Sequence, residues 1–280
     1  MKLDVGGTLL FFDVEGTLLE RGETDWRNRP TVVLLHPGPG VDHSVYKDLI
    51  GPTLAEVAQV VYIDQRGDGR SDRSNASRWN LETWAGDLHE LLGALEIEHP
   101  ILLGSSTGAL VALHYTWRHP ERASKLVLIS AVARYVHARS IAVFDRLGGP
   151  AAGEVAAAYF ADPNETTLAQ YLQVCLPLYS REGFDPDVVA RMRMNPEVTA
   201  HWDRTESTRI DMREAAASVR CPVLLVAGED DPSATIGGVE ELAGAFPPGL
   251  VEFRRYAGAR HGVVRDEPRA LEDIRRFVAA

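Results

Sequence analysis

The chain has 280 residues, 45% of them hydrophobic and 25% charged, which suits a globular protein with one large core or a core plus an inserted subdomain. Lys and Arg total 29 against 40 Asp and Glu, a formal charge of −11 that argues against nucleic acid or an anionic membrane surface as a partner. No apolar run approaches the roughly 20 residues that span a bilayer, and Met1 to Val5 lacks signal-peptide architecture, so a cytoplasmic protein with a small-molecule substrate is expected.

Taken in order, Lys2 to Glu15 carries β-prone runs broken by Gly6-Gly7 and reads as an antiparallel hairpin at a sheet edge. Arg21 to Pro30 is a polar connection. Thr31 to Leu35 is a continuous apolar strand of the kind covered on both faces of a parallel sheet, and it runs into His36-Pro37-Gly38-Pro39-Gly40. A helix over Val45 to Ala58 must break at Gly51-Pro52. Gln59 to Ile63 is the next strand and ends in the turn-rich Asp64-Gln65-Arg66-Gly67-Asp68-Gly69-Arg70-Ser71. Asn80 can cap a long helix whose apolar stripe is Leu81, Trp84, Ala85, Leu88, Leu91, Leu92 and Leu95.

Ile101 to Leu110 passes from strand to sharp turn to helix, with Gly104-x-Ser106-x-Gly108 at its centre. This is the pattern of a nucleophile elbow, where a serine hydroxyl is raised above the sheet on a strained turn and only glycine fits beside it. Lys125 to Ser130 adds another buried strand, so an α/β architecture with a mostly parallel, doubly covered sheet follows. From Ala131 to Ala217 only helical segments appear, at Val136 to Leu147, Pro150 to Ala161, Thr166 to Tyr179, Asp187 to Arg193 and Glu197 to Ser207. An all-helical cap over residues 131–217 is therefore expected, inserted in a core formed by residues 1–130 and 218–280. The core resumes with the strand Pro222 to Ala227, a helix at Val239 to Ala245, the strand Val251 to Tyr256 and a terminal helix over Pro268 to Val278.

A serine needs a base to take its proton and an acid to orient that base. In the order Ser, acid, His, the penultimate strand leads into Gly228-Glu229-Asp230-Asp231 and the last strand into His261. Glu229 and Asp230 are rivals for the acid, but Asp231 fits the Gly-x-x-Asp spacing. Of nine histidines, only His261 follows a late strand end. Thr107 N–H follows the nucleophile and can serve an oxyanion hole; Pro37 and Pro39 have no N–H, so the second donor is Gly38 or Gly40, with Gly38 nearer the strand end. Cys175 and Cys221 stand in no metal or redox spacing and are expected to be buried free thiols; no cofactor or metal is indicated.

Together, His36-Pro37-Gly38-Pro39-Gly40, Asp64 to Ser71, Gly104-Ser105-Ser106-Thr107-Gly108, Gly228 to Asp231 and His261 resemble the α/β-hydrolase superfamily, and within it the proline iminopeptidase branch. The resemblance covers both core segments and leaves out the cap. It implies Ser106, Asp231 and His261 as triad and Gly38 and Thr107 as oxyanion hole, with the Asp64 to Ser71 loop architectural and Arg66 bonding neighbouring loops. The branch carries Gly-Gly-Ser-Trp-Gly at the elbow, where this chain has Ser105 and Thr107 in place of the second glycine and the tryptophan, and Pro37 replaces a glycine of the other signature. These changes reshape the acyl pocket. Such peptidases hold the substrate amine with acidic cap residues, for which Glu154, Glu182, Glu197, Asp203 and Glu206 are available, a solvated carboxylate being the alternative for each. The cap aromatics Phe144, Tyr159, Phe160, Tyr171, Tyr179 and Trp202 line a pocket or pack the cap onto the core. The expected activity is hydrolysis of a small ester, lactone or amide; the alternatives are an aminopeptidase of the proline iminopeptidase type and a small-molecule receptor that has lost turnover.

Overall fold

The computed structural model describes residues 1–280. The first strands are β1 (Lys2–Asp4) and β2 (Leu9–Glu15), then a small hairpin of β3 (Leu19–Arg21) and β4 (Trp26–Asn28), of which β3 leads into and β4 falls within Arg21 to Pro30, expected to be a polar connection. Next come β5 (Thr31–Leu35), α1 (Ser44–Lys47), α2 (Gly51–Ala55), β6 (Gln59–Ile63), α3 (Leu81–Ala94), β7 (Ile101–Ser105), α4 (Thr107–Arg118) and β8 (Lys125–Ile129). Five helices follow: α5 (His137–Gly148), α6 (Pro150–Ala161), α7 (Glu165–Val174), α8 (Pro186–Arg191) and α9 (Pro196–Arg204). The chain closes with α10 (Arg213–Ala217), β9 (Val223–Gly228), α11 (Ile236–Ala243), β10 (Val251–Tyr256), α12 (Val263–Asp266) and α13 (Arg269–Ala279).

Eight strands form one sheet in the order β1-β2-β6-β5-β7-β8-β9-β10. β1 and β2 pair antiparallel at one edge and the remaining six strands are parallel. The continuous apolar runs have a simple cause, because successive side chains of a strand point to opposite faces and both faces are covered. Val33, Leu35, Leu102, Leu126, Leu128, Val223 and Leu225 enter one apolar cluster with α3 and α4. Their neighbours Val32, Leu34, Leu103, Val127, Ile129, Leu224 and Val226 enter the opposite cluster with α2 and α13.

Local rules set the helix ends. Asn80 accepts a hydrogen bond from Thr83 N at 2.8 Å and starts α3. The helix expected from Thr166 to Tyr179 stops at Val174 and continues as a 3₁₀ turn over Leu176–Tyr179, because Pro177 cannot donate to a continuing α-helical ladder. α12, just after His261, was not anticipated; with four residues it has no legible period.

Two packing environments divide the helices between β8 and β9. Phe144, Ala152, Ala156, Tyr159, Tyr171 and Cys175 form a separate apolar cluster within α5 to α7 and the residue that follows. Val198 and Trp202 of α9 instead belong to the main core, where Trp202 stacks on Trp84 with centroids 5.6 Å apart. Cys175 and Cys221 are buried free thiols that burial pushes up to about 11. No helix is long and apolar enough to cross a membrane.

Candidate active site

The carboxyl ends of β5, β7, β8, β9 and β10 converge, the usual location of sites in open parallel sheets. Ser106, between β7 and α4, has φ 51° and ψ −120°, a region that non-glycine residues seldom occupy and that marks stored strain. The turn needs its flanking glycines: a Cβ on Gly104 would lie 2.3 Å from Gly108 O, and one on Gly108 would lie 2.2 Å from Leu35 O. Ser106 N donates to Ile129 O at 2.8 Å, tying the elbow to the end of β8.

His261 reaches the same place from the loop after β10. Its Nδ1 donates to Asp231 Oδ2 at 2.8 Å and lies 3.1 Å from Oδ1. Asp231 is fully buried, and Ser233 N and Ala234 N donate to its Oδ1 at 2.7 and 2.8 Å. The rival carboxylates are engaged elsewhere, Asp230 with Arg146 at 2.8 Å and Glu229 with Arg255 at 3.1 Å. Ser130, next after the Ile129 carbonyl that holds the elbow, donates its hydroxyl to His261 O at 3.0 Å. Ser106 is thus placed by its own backbone, and the adjacent residues Ile129 and Ser130 hold the elbow and the His261 loop side by side.

Thr107 is the first residue of α4, so its N–H has no intrahelical acceptor. Its hydroxyl donates to Gly38 O at 2.6 Å, bringing the two residues expected at the oxyanion hole into contact. Gly38 has φ +131°. His36 beneath this loop is fully buried and burial lowers its basicity. Its Nε2 accepts from Gln65 N at 3.1 Å, which leaves the proton on Nδ1 to donate to Pro37 O at 2.7 Å.

The Asp64 to Ser71 loop is a polar knot under the site. Arg66 is buried and donates to Asp87 through Nε at 2.7 Å and Nη2 at 2.5 Å, and to Thr8 Oγ1 at 2.5 Å. Asp64 accepts from His43 N, His43 Nδ1 and Arg70 N. Buried Asp68 accepts from Gly40 N at 3.0 Å while its other oxygen has no partner, and burial raises this carboxyl well above its ordinary range.

The helices between β8 and β9 bring aromatic side chains to the site. Tyr179 meets the His261 ring edge-on at 4.9 Å, and its hydroxyl shares a 2.7 Å hydrogen bond with Tyr171. Tyr171 packs against Tyr159, whose hydroxyl donates to Asp203. Burial pushes the Asp203 carboxyl up to about 6. Of the other cap carboxylates named from sequence, Glu154, Glu182 and Glu197 are exposed, and Glu206 is half-buried in a groove beside His114 and Trp117. Phe144, Tyr159 and Tyr171 pack against one another within α5 to α7, whereas Trp202 packs α9 onto the core.

Sequence reasoning missed Asp266. This buried carboxylate accepts from Ser180 Oγ at 2.6 Å, Arg181 N at 2.9 Å and Arg260 N at 2.8 Å, joining the His261 loop to the segment after the 3₁₀ turn. Its position five residues after His261 follows no motif, so only the folded chain could reveal it.

The family model for the alpha/beta hydrolase fold matches residues 30–268. The putative carbamate hydrolase RutD of Escherichia coli O157:H7 (strain EC4115 / EHEC) is 28% identical over 238 residues, covering 83% of this chain and 85% of the relative. The enol-lactonase from Burkholderia xenovorans LB400 superposes with a TM-score of 0.75 at 22% identity over all of both chains. The proline iminopeptidase of Mycobacterium smegmatis superposes with a TM-score of 0.76 at 21% identity, covering 99% of this chain and 97% of that one. With an elbow serine after β7, a His–carboxylate pair after β10 and β9, and a family match that spans both sides of the helical insertion, the chain belongs to the α/β-hydrolase fold family.

Proposed function

We propose that the protein is a serine hydrolase that cleaves a small carboxylic ester, lactone or amide through an acyl-enzyme intermediate. The observation that carries this reading is the hydrogen bond from His261 to buried Asp231, on a loop that Ser130 ties to the strand end holding a serine at φ 51°. Asp231 accepts the Nδ1 proton, so Nε2 is left unprotonated and able to act as base. Ser106 attacks the substrate carbonyl carbon as His261 takes its proton, and Gly38 N–H and Thr107 N–H receive the negative oxygen. The imidazolium, stabilised by Asp231, then protonates the leaving group. Water, deprotonated by the same imidazole, attacks the acyl carbon; the bond from that carbon to Ser106 Oγ breaks, the imidazolium returns its proton to Oγ, and the acid product leaves. Every step uses side chains or backbone of this chain, with no metal or cofactor.

Replacement of Ser106 by Ala is expected to abolish turnover of a short-chain nitrophenyl ester while the fold persists, and the wild-type serine is expected to be labelled by a fluorophosphonate. Undiminished turnover in Ser106→Ala would refute the assignment; a folded wild-type protein that is not labelled would favour a receptor without turnover.

Asp203 favours a second reading, an aminopeptidase of the proline iminopeptidase type. Thr199, one helical turn before Asp203 on the same face of α9, bonds to Pro39 O of the loop beside the site. A carboxylate so placed could pair with the free amine of a peptide substrate. Release of nitroaniline from proline-nitroanilide, lost in Asp203→Asn, is the expected result; ester turnover with no such release would refute this second reading.

A further inference from the structure

We propose that helix α9 of the cap is part of the oxyanion apparatus, with Asn195 and Thr199 as positioning residues that hold the His36 to Gly40 loop in its working geometry. The inference rests on the serine-hydrolase reading given above.

Four consecutive carbonyls of this loop are each held by a different donor. Pro37 O accepts from His36 Nδ1 at 2.7 Å, which fixes the peptide plane whose other end is Gly38 N–H. Gly38 O accepts from Thr107 Oγ1 at 2.6 Å, from the core side. The next two are held from the cap: Thr199 Oγ1 donates to Pro39 O at 2.8 Å, and Asn195 N donates to Gly40 O at 2.8 Å. Asn195 also donates its side-chain amide to Gly67 O at 2.8 Å, so the same residue fastens the Asp64 to Ser71 loop on which the oxyanion loop rests.

This approach is close enough to dictate a residue. A Cβ on Gly40, which has φ +96°, would lie 2.1 Å from Thr199 Oγ1 and 2.9 Å from Asn195 O. The last glycine of the His36 to Gly40 motif is therefore required by the cap as well as by its own backbone. The clamp also has a firm base. Val198 and Trp202, between and beyond the two positioning residues, are buried in the main core, and Trp84, on which Trp202 stacks, donates to Arg66 O at 2.9 Å.

An oxyanion hole works because its donors are aimed before the charge develops, so a loosened loop lowers the rate of the chemical step more than it weakens substrate binding. Thr199→Val removes the hydroxyl and keeps the shape; Thr199→Ser returns the hydroxyl. Both are assayed for kcat and KM with a short-chain nitrophenyl ester and for the rate of Ser106 labelling by a fluorophosphonate, with circular dichroism reporting the fold. Thr199→Val is expected to lower kcat and the labelling rate in parallel by about tenfold, the scale of one neutral hydrogen bond, with KM within about twofold of wild type. Thr199→Ser is expected to recover most of the loss. Thr199→Ala carries the same expectation if valine is not accommodated. An unchanged kcat, or a raised KM with kcat preserved, in the folded variant would overturn the inference while leaving the serine-hydrolase reading intact. Wild-type protein that neither turns over ester nor labels would overturn that reading first.

Discussion

Replacing Asp231 by Asn keeps the size and shape of the side chain but changes what it offers to His261. In the native protein Oδ1 accepts from Ser233 N at 2.7 Å and Ala234 N at 2.8 Å, and Oδ2 accepts from His261 Nδ1 at 2.8 Å. The two backbone donors will hold the asparagine oxygen, because turning the amide over would set N–H against N–H. The asparagine NH2 is then left facing Nδ1, and the imidazole must turn to the tautomer with its proton on Nε2. In the proposed mechanism, a ring protonated at Nε2 cannot accept the proton of Ser106. The loss in kcat is expected to be about 10⁴-fold, or roughly 5 kcal/mol in the barrier, when the geometry survives and the tautomer is wrong. Initial rates of nitrophenyl ester hydrolysis across pH 6 to 10, with the melting temperature measured alongside, check this. A folded Asp231→Asn variant retaining kcat within about tenfold of wild type would refute the reasoning and send the role to Asp230 or Glu229.

Other expectations concern stability. Arg66→Met leaves Asp87 buried without its partner and should cost about 3–5 kcal/mol in urea denaturation, while Arg66→Met combined with Asp87→Leu should recover much of that loss; equal destabilisation of the single and double variants would contradict it. Gly86 sits within α3 with open space where a Cβ would go, so Gly86→Ala should add about 0.5–1 kcal/mol. Gly108→Ala, with its Cβ 2.2 Å from Leu35 O, should lower the melting temperature sharply; a neutral effect would show that the elbow is not as tight as described. Because burial raises the Asp68 carboxyl, the folded protein holds that proton more firmly than the unfolded chain. The stability this contributes is present below the ordinary carboxylate range, about pH 4, and is lost as pH rises through the folded value. Asp68→Asn keeps an acceptor for Gly40 N and should therefore raise the melting temperature at pH 7 to 8 relative to wild type, with little gain near pH 4; the reverse order would overturn the assignment.

Much of the core was legible because its rules are local. Val32 to Leu35, Ile101 to Leu103 and Val223 to Val226 read as buried parallel strands because both faces of such a strand are covered. Pro150 to Ala161 was delimited correctly by its own proline start and apolar content. The hairpin of β3 and β4 escaped notice because its six residues are all exposed and carry no alternation. The cap was harder. The aromatics of these helices look alike in sequence, yet Tyr171 packs within the α5 to α7 cluster and Trp202 packs into the core. Nothing in their local spacing separates the two.

The sequence by itself determined the α/β architecture, the elbow and the order in which serine, carboxylate and histidine leave their strands, because apolar periodicity and steric exclusion at Gly104 and Gly108 act over a few residues. Only the tertiary structure decided which of Glu229, Asp230 and Asp231 meets His261, that Asp203 alone among the five cap carboxylates named from sequence faces the tyrosines, and that Thr199 reaches Pro39. Those outcomes depend on side-chain direction and on contacts between residues far apart in the chain, 30 positions for Asp231 and His261 and 160 for Pro39 and Thr199. Such contacts are set by how whole elements pack: the Gly-x-x-Asp spacing points to Asp231, but no spacing in the chain encodes the contacts of Asp203 or Thr199.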